Sequence, residues 1–105
     1  MVYTVEDIKK LVKPIAEEYG IEKVYLFGSY ARGEADEKSD VDLLIKGFSS
    51  DKPWAYPGMF IDMEEKFGKD VDIVSVEALN ESPNNTRYIR RLKSNLKKER
   101  ILIYD

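Results

Sequence analysis

A chain of 105 residues, 43% hydrophobic and 35% charged, has the length and apolar content for one core, and a single domain is expected over residues 1–105. It contains no cysteine and no histidine, which together exclude disulfides, thiolate zinc sites, cysteine nucleophiles, Ser-His-Asp triads and imidazole ligands. The net charge of −3 argues against a generic nucleic-acid binder, and without an apolar run of about twenty residues or a signal-peptide core the expectation is a cytoplasmic protein that enters no membrane.

Thr4 opens a first helix, and Asp7 completes a capping-box pattern with it. Val5, Ile8, Leu11, Val12, Ile15 and Tyr19 recur at helical spacing as its core stripe, and Gly20 ends it. Pro14 falls inside that pattern and predicts a kink, or a break about one turn earlier. Lys23 to Phe27 reads as a strand with apolar residues on both faces, followed at once by Gly28-Ser29. Tyr30 to Lys38 is short, polar and interrupted by Gly33, which predicts a turn with at most one turn of helix. Asp40 to Lys46 is a second strand, with Val41, Leu43 and Ile45 on one face and Asp40, Asp42 and Leu44 on the other.

Gly47 to Pro57 reads as a loop, with Pro57 suited to the first turn of the helix that follows. That helix buries Met59, Phe60, Met63 and Phe67 and closes at Gly68. Asp70 to Val76 is a third strand and Glu81 to Asn85 a loop. Thr86 caps a last helix with Tyr88, Ile89, Leu92 and Leu96 inward, and Ile101 to Tyr104 is a short apolar end with strand character. Seven of the 17 basic residues and one of the 20 acidic ones lie between Arg87 and Arg100, so that segment carries +6 and the rest −9. A docking or phosphate-contacting surface, with Arg87 and Arg90 toward the site, explains this polarity; a solvated helix face explains it equally well.

Asp40 and Asp42, two apart on a strand, point to one face with their Cα atoms about 7 Å apart. Like charges so placed repel, and in a chain without His or Cys the natural remedy is a hard cation such as Mg2+ or Mn2+. A third carboxylate comes from the next strand if the two strands are neighbours. Asp72, flanked by Val71, Ile73 and Val74, is the better candidate than Asp70, because an uncompensated charge in mid-strand is expensive. Solvent-facing alternation explains any one of these residues more simply, but not all three in strands this apolar. Gly28-Ser29 brings backbone amides and a hydroxyl to a place where phosphates can be cradled, and Arg32 offers a cation for nucleotide binding beside the same turn.

Phe27 to Ile45 (FGSYARGEADEKSDVDLLI) resembles the nucleotidyltransferase signature of Gly-Ser followed by Asp-x-Asp. GSYARG, SDVDLL and the downstream VDIV resemble its shortest branch, the minimal nucleotidyltransferases of prokaryotes. The resemblance implies an α+β nucleotidyltransferase fold, a mixed β-sheet with helices packed on one face. It implies Gly28 and Ser29 as triphosphate-binding residues, and Asp40 and Asp42 as ligands of two Mg2+ ions, with Mn2+ as a substitute. Asp72 is then the third carboxylate of the metal site and assists the attacking hydroxyl. The implied reaction carries AMP from ATP to a hydroxyl. The implied partner is a helical HEPN-domain toxin modified on tyrosine, which makes this chain an antitoxin of a type VII toxin–antitoxin pair, in a homo- or hetero-oligomer.

Three other functions fit less of the sequence: a non-catalytic binder that neutralises its partner by occlusion, a nucleotidyltransferase of small alcohols, and a nucleic-acid module resting on the +6 segment. Trp54 and Tyr56 are expected to anchor a partner, to stack on a nucleotide, or to tuck a loop onto the core.

Overall fold

The structure, a computed structural model, describes residues 2–48, 54–76, 90, 91, 93, 94 and 99–105. Its elements are α1 (Val5–Tyr19), β1 (Lys23–Phe27), α2 (Gly28–Arg32), β2 (Val41–Lys46), α3 (Ala55–Phe67), β3 (Val71–Ser75) and β4 (Ile101–Tyr104). The strands form one sheet in the order β3-β2-β1-β4. The β1–β2 and β1–β4 pairs are antiparallel and β2–β3 is parallel, so the sheet is mixed. The parallel pair needs a crossover, and α3 supplies it.

Helix α1 begins as its capping residues dictate. The Asp7 amide donates to Thr4 Oγ1 at 3.1 Å and the Thr4 amide to Asp7 Oδ2 at 3.0 Å. Those bonds hold the Asp7 carboxyl below the usual carboxylate range. Ile8, Val12, Ile15 and Ala16 form the buried stripe. A break one turn before Pro14 does not occur: α1 runs without interruption from Val5 to Tyr19. Pro14 lies on the exposed side, and the carbonyl it orphans belongs to exposed Lys10, within reach of water.

Helix α3 starts earlier than the sequence suggests, at Ala55, so Tyr56 and Pro57 are helical and the preceding loop is shorter than residues 47–57. Pro57 does stand in the first turn, where its missing N–H costs nothing. Ala55, Met59, Met63 and Phe67 are buried. Helices α1 and α3 pack against each other and cover the same face of the sheet, over Val24, Leu26, Val41, Leu43, Ile45 and Ile103. Tyr19 joins them, its hydroxyl donating to Asp62 Oδ2 at 2.6 Å.

Residues 90, 91, 93, 94 and 99 have helical backbone. Thr86, Arg87, Tyr88, Ile89, Leu92, Leu96 and the 81–85 loop lie outside the described residues. The C-terminal strand is present as β4 and closes the sheet beside β1. Among the described residues no helix is long and apolar enough to cross a membrane.

Candidate functional site

The face of the sheet away from α1 and α3 carries Asp42 and Asp72, two of the residues singled out in the sequence. Strand alternation sends Val24 and Leu26 into the core, so Tyr25 and Phe27 face the other way. The register pairs Phe27 with Asp42 and Asp42 with Asp72, which sets the three in one row across β1, β2 and β3. The adjacent row is apolar: Leu102, Tyr25, Leu44 and Val74. Arg100 lies over the Tyr25 ring, 4.9 Å from its centroid, so this member of the basic segment is engaged by an aromatic ring.

Gly28 follows Phe27 with φ +74°, a conformation that L side chains rarely adopt. A Cβ there would lie 3.0 Å from the Asp42 Cγ and closer still to a carboxylate oxygen. The turn is therefore glycine because the backbone passes directly against the Asp42 carboxylate. Ser29 follows at once, in the first turn of the five-residue α2. The short helix closes at Gly33, and the Glu34 amide donates back to the Ser29 carbonyl at 2.9 Å.

The three carboxylates differ in setting. Asp42 is half-buried, whereas Asp40 and Asp72 are exposed. The expectation that Asp72 bears the cost of burial thus moves to Asp42, because β3 is an edge strand whose outer face meets solvent. Burial first, then the neighbouring Asp72 carboxylate and the charge of Asp40, push the Asp42 carboxyl up to about 6; the Arg32 cation pulls in the opposite direction. The structure brings Asp42 and Asp72 together as register partners and leaves Asp40 at the entry of β2. Among the described residues no three carboxylates stand close enough together to hold a metal ion as a group. The donor set nevertheless suits a hard divalent cation: all oxygen, with mutual repulsion that a cation would relieve.

Arg32 is engaged by carboxylates. Its Nε donates to Glu34 Oε2 at 3.0 Å and its Nη1 to Glu99 Oε2 at 2.9 Å, so a phosphate would have to compete with both. Arg90 is exposed. Trp54 is 66% exposed, while Tyr56 packs edge-on against Phe48 and donates to the Ile73 carbonyl at 3.3 Å. Neither the Phe27–Asp42 pairing nor the Arg32–Glu99 bridge was read from the sequence. The first depends on a register that no tight turn fixes, because thirteen residues including α2 separate the two strands; the second joins distant segments and leaves no local signal.

The model of the nucleotidyltransferase domain family matches residues 8–103. MJ0435 of Methanocaldococcus jannaschii, provisionally named a protein adenylyltransferase, is 30% identical over 76 residues, which cover 72% of this chain and 82% of that protein. A solved structure described as a provisionally assigned minimal nucleotidyltransferase superposes with a TM-score of 0.67 at 28% identity, over 94% of this chain and 95% of that one. A chain of the complex between a tri-AMPylated Shewanella oneidensis HEPN toxin and an MNT antitoxin superposes with a TM-score of 0.56 at 17% identity, over 95% and 68% of the two chains. At that identity the likeness is one of fold.

Proposed function

The chain belongs to the nucleotidyltransferase domain family, and from that premise we propose that it transfers AMP from ATP to a tyrosine hydroxyl of a HEPN-type partner toxin and so acts as its antitoxin. The observation that carries the chemistry is the row Phe27–Asp42–Asp72 with the side-chain-free Gly28 pressed against Asp42. It leaves a stretch of backbone and a pair of carboxylates open to one ligand. The adenylyltransferase name of the relative MJ0435 and the AMPylated toxin in the structural neighbour favour adenylyl transfer to a protein.

In this reading the Gly28 amide and the Ser29 hydroxyl grip the outer phosphates. The acceptor oxygen attacks the α-phosphorus, and an O–P bond forms as the bond from that phosphorus to the bridging oxygen breaks. Pyrophosphate leaves, and the hydroxyl proton passes to Asp72. Asp40 and Asp42, with Asp72, would hold Mg2+ or Mn2+, which supplies neutralisation of the triphosphate charge and acidifies the attacking hydroxyl. Catalysis is then positioning and charge neutralisation.

Intact mass spectrometry tests this on the purified chain mixed with a HEPN-domain partner, Mg2+ and ATP. The partner is expected to gain one or more AMP masses, and to gain none with an Asp40→Ala/Asp42→Ala variant. A stable complex with unchanged partner mass would overturn adenylyl transfer in favour of neutralisation by occlusion.

A further inference from the structure

Helix α2 is too short to hold its own place. It has five residues, and Phe27 at its start offers no side-chain cap. Tyr30, immediately after Ser29, is 5% exposed and sits in the main core. Its hydroxyl accepts a bond of 2.8 Å from the Lys69 ammonium, which also stands 5.2 Å from the centroid of the same ring.

Lys69 lies in the three-residue link between α3 and β3. Gly68 before it caps α3, and the carbonyl of Asp70 after it accepts the Val41 amide at 3.1 Å. One short link is therefore bonded to α2 and to the entry of β2, and it leads directly into Asp72. The Gly28-Ser29 turn, Asp42 and Asp72 come from three separate segments, and this link ties all three.

We propose that Lys69 and Tyr30 form a positioning pair that sets the Gly28-Ser29 turn against the carboxylate row, and so determines affinity for the outer phosphates of the nucleotide. The proposal rests on the triphosphate role given to Gly28 and Ser29 above. Lys69 acts through the Tyr30 hydroxyl, and its own ammonium is committed to that ring.

The test is direct binding to the whole chain, without acceptor, of a non-hydrolysable Mg-ATP analogue and of Mg-AMP, which has no outer phosphates. Lys69→Met and Tyr30→Phe should each weaken the ATP analogue roughly tenfold, the scale of one charge-assisted hydrogen bond. Mg-AMP affinity should stay unchanged. The double variant should be no weaker than Lys69→Met alone, because that change already removes both the hydrogen bond and the ring contact. Lys69→Arg, which restores a donor, should recover most of the loss.

Equal losses for ATP analogue and AMP, or a lowered Tm with both affinities intact, would reduce the pair to a structural role and overturn the proposal. So would unchanged ATP-analogue affinity in both single variants. A wild-type chain that binds the analogue but modifies no partner would overturn adenylyl transfer and leave the pair to be judged by these affinities. A wild-type chain that does not bind the analogue at all would overturn both.

Discussion

The two faces of the same strands do different work. On the helix side Val24, Leu26, Val41, Leu43 and Ile45 are fully buried, and their contribution is the removal of apolar surface from water. On the other side Phe27, Asp42 and Asp72 form a row in which two like charges stand beside each other. Val41 and Leu43 flank Asp42 in the chain, yet a strand turns each residue from its neighbour by half a circle. Under the proposed function, stability and chemistry are separated by the single step from Asp42 to Leu43, and substitutions at those two positions should have opposite consequences.

The sharpest form of this contrast is Asp42→Asn. The proposed adenylyl transfer should fall by a factor on the order of 10³, the scale of losing one electrostatic partner of a transition state. The metal-free protein should become more stable at neutral pH, by about 1 kcal/mol, because half of the group faces water and screens the repulsion. A carboxyl pushed up to about 6 penalises the fold while it is ionised. The penalty is full above that pH, fades as pH falls through it, and is gone below the ordinary carboxylate range. Thermal melts in chelator should show the variant above wild type at neutral pH and the two curves meeting at about pH 4. A variant less stable than wild type under these conditions would contradict the account of Asp42.

Leu43→Ala, one residue away, should do the reverse. It should cost about 3 kcal/mol in urea unfolding through lost burial and a residual cavity, while transfer per folded molecule stays near wild type. Gly28→Ala should blur the distinction, because it acts on both faces of the problem. Its backbone needs φ +74° and its new Cβ would crowd Asp42, so a loss of about 2 kcal/mol and a drop in transfer are expected together. The smallest effect belongs to Tyr19→Phe between the helices, at about 1 kcal/mol for one hydrogen bond. The bond to Asp62 and partial burial push the Tyr19 phenol up to about 12. Its stabilisation is present below the ordinary phenol pKa and lost as pH rises through the raised value. The gap between wild type and variant in urea titrations should be constant to about pH 9 and shrink as pH rises above the ordinary phenol pKa of about 10.

Much of this architecture is written locally. Thr4 with Asp7, the glycines that close α1 and α3, and the apolar alternation of β2 each depend on near neighbours, and the structure follows them. The Gly-Ser turn and the Asp-x-Asp strand are visible for the same reason. The sequence is silent where distant segments meet. That Asp42 and not Asp72 is the half-buried carboxylate depends on β3 being the sheet edge, which no residue of β3 encodes by itself. Lys69 looks like an ordinary loop lysine until Tyr30 is placed beneath it. Pro14 does not end α1, because it lies on the exposed side of the helix, where water can reach the carbonyl it orphans.

The parallel β2–β3 pair also has a consequence in time. The strands β1 and β2 are joined by residues 28–40, so the approach of Gly28 to Asp42 closes a shorter stretch of chain than the approach of Asp72 does. Asp72 reaches Asp42 only after the chain has built and docked α3, and Tyr104 reaches Val24 only from the far end of the chain. Loop-closure entropy makes the contact across the longer stretch the costlier one to form, so the Asp42–Asp72 pairing is expected after the β1–β2 pairing. The repulsion between the two carboxylates is then expected on the native side of the folding barrier, and removing it should lengthen the lifetime of the native state more than it hastens its formation. In stopped-flow chevrons of the chelated protein, Asp42→Asn is expected to move the unfolding limb and leave the refolding limb nearly in place.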